Sequence, residues 1–508
     1  MTFVKSVVLG SAAGLVAIAR GQAADLPVKA KPVEYVKVCS LYGAGFWYVP
    51  GTDTCLKIGS YIRGQVEWNA GNGGVPIGFG ATDAAAAGRL DRTDTSQLSF
   101  RTRAGLSVDL RTQTEYGTLR SYFEGGFQTS GNNGSAPTND AVYVDRGFVQ
   151  FAGLTAGRIR SYFDINSFGS YSYANVRFSA DTTALGLWGI AYTAQLGNGI
   201  SATISLEDGG SSSQGNSSGQ TGSRLKQVVN LSMAAQFGLG TTSFDNEGWK
   251  VPDVVGSLRI DRAWGYAQVS AALHDVSAGY YQTGGTALAA GLQNNGHPAD
   301  AYGFAVSGGF TLNDVLGWSG DQLGMQVAYG RGAGGYTFKQ GPTQVYGSGN
   351  SAGFGWTSDG TFVAGGPVEL TTSWSINGLL QHFWSPKWRT SLYGGYYEVD
   401  YDAKATANIC PGGAAGTPSP TGFPFAGGVT NCSPNWSAWG IGSRTQWNPH
   451  SDLDIGVDLM WDHLNTAFAG FATVAANGAR PLAAAGSFRI QDQDVLTILF
   501  RIQRNLLP

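Results

Sequence analysis

Apolar and polar residues alternate along several segments of the chain. From Leu98 to Leu110, alternate positions are apolar or small, apart from one threonine, while the positions between them include Arg101, Arg103 and Asp109. A helix would spread these charges around its surface, whereas a strand places them on one face. The segment from Leu56 to Trp68 alternates in the same way. The pattern therefore predicts strands with one apolar face and one hydrophilic face.

Short and long connections between such segments also alternate. Long ones, such as 208–251 and 333–370, are rich in Gly and Ser. This asymmetry is typical of an all-β, transmembrane antiparallel β-barrel with short periplasmic turns and long extracellular loops. An even number of strands lets the first and last pair and close the barrel. We predict 16 strands, at 56–67, 98–110, 117–128, 141–151, 154–164, 186–196, 200–207, 252–263, 266–276, 301–312, 322–331, 371–383, 388–399, 435–447, 451–464 and 488–501.

Composition favours the membrane barrel over the other fold classes. The 508 residues include 76 Gly, and only 13% are charged, whereas soluble proteins average about 25%. Mean hydropathy is −0.09, which argues against a helical membrane protein. A barrel has neutral hydropathy because only every second strand residue faces lipid. A secreted β-sandwich remains an alternative, because a single strand has the same alternation in both folds.

The N-terminus has the features of a secretory signal peptide. Lys5 supplies positive charge, Val7 to Ala19 is apolar, and Gly21-Gln22-Ala23 is a small-x-small cleavage site. A membrane anchor is the alternative, but the apolar run is shorter than the roughly 20 residues that span a bilayer. We predict a signal peptide at 1–23, a periplasmic segment at 24–55 and the barrel at 56–508.

The four cysteines lie in two neighbourhoods, as expected of an exported protein. Cys39 and Cys55 flank a short segment before the first strand, and Cys410 and Cys432 flank a Gly/Pro/Thr-rich loop. We predict one disulfide within each neighbourhood. Zinc is the weaker alternative because the chain has no Cys-x-x-Cys and no nearby His.

Several stretches resemble the alphaproteobacterial porin family, the general diffusion porins of rhizobia, Brucella and relatives. The most specific is the block from Val36 to Gly59, which includes Val36-Lys37-Val38-Cys39, Phe46-Trp47-Tyr48 and Gly51-Thr52-Asp53-Thr54-Cys55. Others are Ala24–Ala30, Asp145–Gly153, Val251–Val255 and Arg501–Asn505. The resemblance covers essentially the whole chain after the predicted signal peptide.

The resemblance implies a 16-stranded barrel in the bacterial outer membrane, usually a homotrimer, surrounded by lipid and without a cofactor. It also implies that a third outer loop, here about 165–185, folds into the pore. The implied function is passive diffusion of small hydrophilic solutes and ions through a water-filled channel. A substrate-specific porin with a saturable site is the nearer alternative.

A channel of this size needs a constriction to discriminate among solutes. We expect basic residues on the inward faces of early strands and acidic residues on the third loop and its flanks. The hypothesis is a field across the lumen between the two sets; the alternative is that these charges hydrate or pair along the wall. The expected constriction residues are Arg63, Arg101, Arg103, Arg120, Arg146, Arg158, Arg160, Glu124, Asp164 and Asp181.

Other function classes find little support in the sequence. The five His residues are widely spread, and neither His-Glu-x-x-His nor Gly-x-Ser-x-Gly occurs. We therefore predict no enzyme and no metal site; an outer-membrane hydrolase with Ser, His and Asp on neighbouring strands stays a remote alternative. The Gly/Ser-rich stretch 208–222 could be adhesive but fits a solvated loop better. A formal net charge of −3 argues against nucleic acid as a partner.

Overall fold

A computed structural model of the protein describes residues 39–71, 75–76, 98–131, 141–173, 181–182, 186–208, 224, 226–233, 244–282, 291–338, 343–348, 351–410, 429–474 and 486–507. The predicted signal peptide lies outside the described residues, as does part of each long loop.

The main sheet is antiparallel and closes on itself. Each barrel strand pairs with the next along the chain, and the last pairs with the first. A short additional strand, Trp47–Tyr48, pairs with the start of β1. The barrel strands are β1 (Thr54–Trp68), β2 (Leu98–Thr114), β3 (Gly117–Gly131), β4 (Ala141–Phe151), β5 (Leu154–Ile159), β6 (Leu187–Gly197), β7 (Ile200–Glu207), β8 (Asp253–Arg262), β9 (Gly265–Asp275), β10 (Tyr302–Asn313), β11 (Gln322–Arg331), β12 (Thr372–Ser385), β13 (Trp388–Asp400), β14 (Trp436–His450), β15 (Leu453–Asn465) and β16 (Gln493–Leu507).

The predicted antiparallel barrel is confirmed, because each predicted strand corresponds to one of these 16. Two ends differ. β5 stops at Ile159 rather than 164, because Ser161 and Tyr162 leave the sheet and bond to Thr182 and Glu207. β16 begins at Gln493 rather than 488, because Gly486–Ile490 pairs instead in a separate sheet at the long-loop end.

Side chains alternate between the two faces of the barrel wall as the sequence pattern requires. On β2, Phe100 is 57% exposed, whereas its neighbour Ser99 is 3% exposed. On β15, Leu459 is 45% exposed and Asp458 is fully buried. The apolar face thus points away from the barrel, where lipid covers it, and the polar face points into the lumen.

Tight turns join strands at one end of the barrel. Asn198 and Gly199 both have positive φ, at 50° and 68°, as the two-residue turns of twisted hairpins require. A Cβ at Gly199 would come within 2.2 Å of the Asp261 carbonyl oxygen. Glycine is therefore required at this turn for its backbone angle and for the close approach of β8.

Both predicted disulfides are present. Cys39–Cys55 joins a 3₁₀ turn, Cys39–Tyr42, to the start of β1 at the short-turn end. Cys410–Cys432 joins the end of a helix, Ala403–Ile409, to the segment before β14 at the long-loop end. None of the described helices combines the length and the apolar character needed to cross a bilayer.

The long loops fold into small sheets at their end of the barrel. One has three strands, Val228–Asn230, Gly360–Phe362 and Glu369–Leu370; another has five, including Ser351–Trp356 and Gly486–Ile490. An aromatic core joins these loops to the barrel strands. Phe338 stacks on Tyr397 of β13 with ring centroids 4.1 Å apart, and Trp356 accepts at its carbonyl from the indole N–H of Trp436. The described parts of these loops are thus packed against the wall.

Candidate pore constriction

The third loop, residues 160–186 between β5 and β6, is anchored near its start by Asp164. This carboxylate accepts from the Thr182 backbone N–H at 2.7 Å and from the Thr182 hydroxyl. It also accepts from Arg224 at 2.7 Å, and the Arg160 Nε lies 3.7 Å away. Burial raises the pKa of Asp164, while the Arg224 and Arg160 guanidinium groups oppose that shift. Asp164 therefore fastens both ends of the loop to each other and to a residue from the next long loop.

Asn166 carries the third loop across to the opposite strands. Its side-chain N–H₂ donates to the Met325 carbonyl at 3.2 Å, and its side-chain oxygen accepts from the Tyr266 and Thr311 hydroxyls at 3.1 and 2.7 Å. Its backbone N–H donates to Gln326 at 3.3 Å. These partners belong to β9, β10 and β11, so the loop has left the β5 side of the lumen here.

Tyr173 fixes the third loop to a further part of the wall. Its backbone N–H and the Ser172 hydroxyl both donate to the carboxylate of Asp458 on β15. Its carbonyl accepts from Arg501 of β16 at 3.5 Å. Its ring centroid lies 4.0 Å from the Arg501 guanidinium carbon and 5.1 Å from that of Arg444. The loop thus spans the lumen from β5 to β14–β16.

Next to Tyr173, several arginines lie in one row of side chains that runs across neighbouring strands on the inner face of the barrel. Cross-strand register aligns three of them with two glutamines and a glycine over β13 to β2. The row is Arg389, Gln446, Gly456, Arg501, Gln65 and Arg101. In the neighbouring row, Arg63 is directly opposite Arg103. We call Arg63, Arg101, Arg103, Arg389, Arg444 and Arg501 the arginine wall.

The hydrogen bonds of the arginine wall go to neutral acceptors. Arg63 donates to Gln503 at 2.8 Å, Arg501 to Gln65 at 2.9 Å and Arg444 to Gln381 at 3.3 Å. Arg101 and Arg103 share the side-chain oxygen of Gln128, each at 2.8 Å. Amide oxygens orient a guanidinium group without neutralising it.

The structure brings some predicted constriction residues together and separates others. Arg63, Arg101 and Arg103 lie side by side on β1 and β2. Arg160, Asp164 and Asp181 gather at the base of the third loop, where Arg146 also reaches the Thr182 carbonyl at 3.4 Å. Arg120 lies elsewhere, paired with Asp109 at 2.9 Å. On β3, Glu124 accepts from Tyr122 at 3.2 Å, and Arg158 on β5 aligns with Gly147 of β4.

Sequence reasoning missed several residues of this site. Arg444 and Arg501 were inward-facing in the alternation, but nothing in the pattern singles them out until the barrel closes and sets β16 beside β1. Asp458 on β15 also faces inward, and the pattern does not single it out either. Tyr173 and Arg224 lie in loops, which have no periodicity to interpret. Arg224 is nevertheless 1% exposed in its side chain, because it inserts between Asp164 and the ring of Tyr336.

Comparison with known proteins agrees with this architecture. A family model described as Porin subfamily matches residues 25–496. Porin Omp2b of Brucella abortus is 34% identical over 269 residues, which are 52% of this chain and 63% of that protein. Porin Omp2b of Brucella melitensis gives the same identity and coverage. The match therefore spans less than two thirds of the length of these relatives.

A solved structure shares the fold. The outer membrane channel DcaP of Acinetobacter baumannii superposes with a TM-score of 0.52 at 10% identity, over 90% of this chain and 99% of that chain. At this identity the likeness concerns the fold alone. The resemblance to Brucella-type porins that the Val36–Gly59 block indicated is confirmed by the family match. With its closed 16-strand barrel, the protein is a multi-pass β-barrel of the bacterial outer membrane, and the chain belongs to the Porin subfamily.

Proposed function

We propose that the protein forms a water-filled channel through which small hydrophilic solutes and ions diffuse passively. The observation that carries this proposal is the third loop, which crosses a closed barrel with a polar inner face and is fixed at Asp164, Asn166 and Tyr173. A barrel of about 16 strands is wide enough for an aqueous channel. A loop held inside it narrows that channel to a size at which solutes can be discriminated.

The narrow passage lies, in this proposal, between the third loop and the part of the arginine wall on β1 and β2. Arg63, Arg101 and Arg103 contribute the charge of the wall. Asp164 and Asp181 contribute little charge to the lumen. Their side chains are 0% and 3% exposed, and both lie close to Arg160. The acidic residues therefore hold the loop, and a passing solute meets a positive wall more than a pair of opposed charges.

We further propose that the barrel assembles as a homotrimer in outer-membrane lipid. Strongly exposed tryptophans, such as Trp188, Trp264 and Trp388, lie outside β1–β5 in the described part of the barrel, and Trp47, which is 44% exposed, lies on the short strand that pairs with the start of β1. Tryptophan favours the membrane–water interface. The outer faces of β1–β5 expose Ile62, Phe100 and Val142, as other strands expose Leu258 and Leu459. This apolar surface without a strongly exposed tryptophan among its described residues suits a neighbouring copy. Sedimentation equilibrium in density-matched detergent should give three chains per particle, and a monomer mass would contradict the assembly.

The hydrolase alternative loses support from the family assignment, because porins are channels rather than enzymes. A porin with a saturable solute site is the alternative that a specific feature of the wall favours. That feature is the absence of carboxylate partners for the arginine wall among the described residues.

Reconstitution tests the channel directly. Purified protein in a planar bilayer should give discrete conductance steps that grow in proportion to salt concentration. In a liposome-swelling assay, uncharged sugars should enter at rates that fall with their size. The same preparation unfolded by heating is the control. Folded, membrane-inserted protein that neither conducts nor admits sugars would overturn the proposal.

A further inference from the structure

We propose that Arg63, Arg101 and Arg103, with the neighbouring edge of Arg501, form a binding site for the oxyanion of a small solute, a carboxylate or a phosphate. The inference rests on the proposed channel function and specifies which solutes the channel retains. It makes the pore anion-preferring and gives it a saturable site.

The first support is charge that the described residues leave uncompensated. All six members of the arginine wall lack a carboxylate within ion-pairing distance in the described chain, although other lumenal arginines have one. Arg111 and Arg120 both pair with Asp109, and Arg259 pairs with Asp261. The arginine wall is thus a local exception in a protein whose formal net charge is −3.

Carboxylates near the wall are engaged by other donors. Glu67 on β1 accepts from Gln65 and from the Ser99 hydroxyl. Asp458 accepts from the Tyr393 hydroxyl and from the third loop at Ser172 and Tyr173. Both side chains are fully buried. In the described chain neither carboxylate lies within ion-pairing distance of an arginine of the wall, so these guanidinium groups keep donors that a mobile anion can bind.

The second support is preorganisation of the guanidinium groups. Arg103 lies over the Tyr143 ring at 4.2 Å and Arg63 over the Tyr61 ring at 4.9 Å, and the two tyrosine hydroxyls are 3.2 Å apart. Tyr61 itself lies across Gly105, where a Cβ would come within 2.2 Å of its ring. Stacking and amide bonds hold the arginines in place before any ligand arrives, which lowers the entropy cost of binding.

The third support is donor capacity. The Nε of Arg101 is buried and has no hydrogen-bond partner in the described chain, and the same holds for Arg389 and Arg444. Arg101 and Arg501 flank Gln65 on adjacent strands, so their Cα atoms are about 10 Å apart. Planar guanidinium forks match the two oxygens of a carboxylate or phosphate, whereas chloride offers a single point of contact. The site should therefore prefer oxyanions to halides.

Single-channel recording in a planar bilayer tests this site. In potassium chloride, wild-type reversal potentials should indicate anion preference. Inorganic phosphate or succinate, added separately, should reduce the chloride current and reach saturation; the two probes distinguish phosphate from carboxylate solutes. Arg101→Gln should raise the half-blocking concentration roughly tenfold, the loss expected for one charge-assisted hydrogen bond. Arg101→Lys should keep the anion preference but weaken the block, because it keeps the charge without the fork.

Arg111→Gln is the matched control. It removes one lumenal positive charge but leaves Asp109 paired with Arg120, so the block should stay at the wild-type concentration. Cation preference of the wild-type channel, or an unsaturable response to both probes, overturns the site while the channel itself stands. Equal block in Arg101→Gln and wild type overturns it too. If Arg101→Gln does not fold, Arg63→Gln replaces it, and the wild-type measurements remain decisive; absence of any conductance refutes the channel instead.

Discussion

The ring of Tyr173 lies 4.0 Å from the guanidinium carbon of Arg501, with the Tyr173 carbonyl accepting a hydrogen bond from the same arginine. A loop residue and a strand residue 328 positions apart are thereby joined twice. A cation over an aromatic ring contributes roughly 0.5–2 kcal/mol, more when the pair is desolvated. Arg501 is 8% exposed, so this contact favours the position of the third loop across the lumen.

Tyr173→Ala should release the middle of the third loop and uncover Arg444 and Arg501. We expect larger single-channel conductance, more current noise and a stronger preference for anions, all measured in a planar bilayer. Tyr173→Phe is the control, because the Tyr173 hydroxyl has no hydrogen-bond partner in the described chain. An alanine variant with wild-type conductance would show that the remaining bonds to Asp458 hold the loop without the ring.

Arg224→Gln should destabilise the base of the third loop. The substitution removes the partner 2.7 Å from Asp164 and leaves a buried carboxylate with less compensation. Breaking a buried ion pair costs about 3–5 kcal/mol, and the lower end applies because Arg160 remains nearby. Urea unfolding followed by tryptophan fluorescence measures the free energy of unfolding. Lys250→Gln, which removes a surface pair with Glu247, should leave it nearly unchanged; equal losses in both variants would contradict the assigned role of Arg224.

The barrel could be predicted because its strands alternate with period two, and the alternation on β1, β2 and β15 is strong enough to fix their faces. The wall arginines Arg63, Arg101 and Arg103 follow from that alternation directly. Arg501 does not, since its place beside Gln65 depends on closure between residues 436 positions apart. The alternation along a strand determines which face of the barrel a residue occupies. The neighbours of a residue on the first or last strand depend in addition on how the barrel closes.

The acidic side of the constriction was harder to predict for a different reason. Asp164 lies in a loop, where charge alone suggests exposure to the lumen. The structure instead buries it against Thr182 and Arg224. Arg224 comes from another long loop with no regular spacing to the third loop. Contacts between two irregular segments leave no periodic signal in either, so the sequence indicates the residues but not their pairing.

Replacing both Cys39 and Cys55 by Ser should lower stability without altering the channel. The disulfide closes a segment with a sequence separation of 16, and a loop of that size is worth about 3 kcal/mol in the chain-entropy model. The loss should appear in urea unfolding of the folded protein. Conductance should stay at the wild-type value because the disulfide lies at the short-turn end, before β1. A changed conductance would mean that the segment 39–53 contributes to the pore.

Adjacent residues on β8 allow the inside–outside assignment of the barrel to be tested by one substitution at each face. Leu258 is 48% exposed on the outer face near the middle of the strand, while Ser257 faces the lumen and is half-buried. Leu258→Arg should destabilise the folded protein in lipid vesicles by about 2–4 kcal/mol, because it places a charge among acyl chains at mid-membrane depth. Ser257→Arg should cost much less, because its charge is hydrated in the lumen, and it should shift the reversal potential further toward anions. Urea unfolding in matched vesicle preparations measures the free energy of unfolding of each variant. Planar-bilayer recording of the same variants measures the reversal potential. The opposite order of stabilities would mean that β8 turns its serine to lipid, and the assignment of the lumenal face, with the arginine wall that depends on it, would fail.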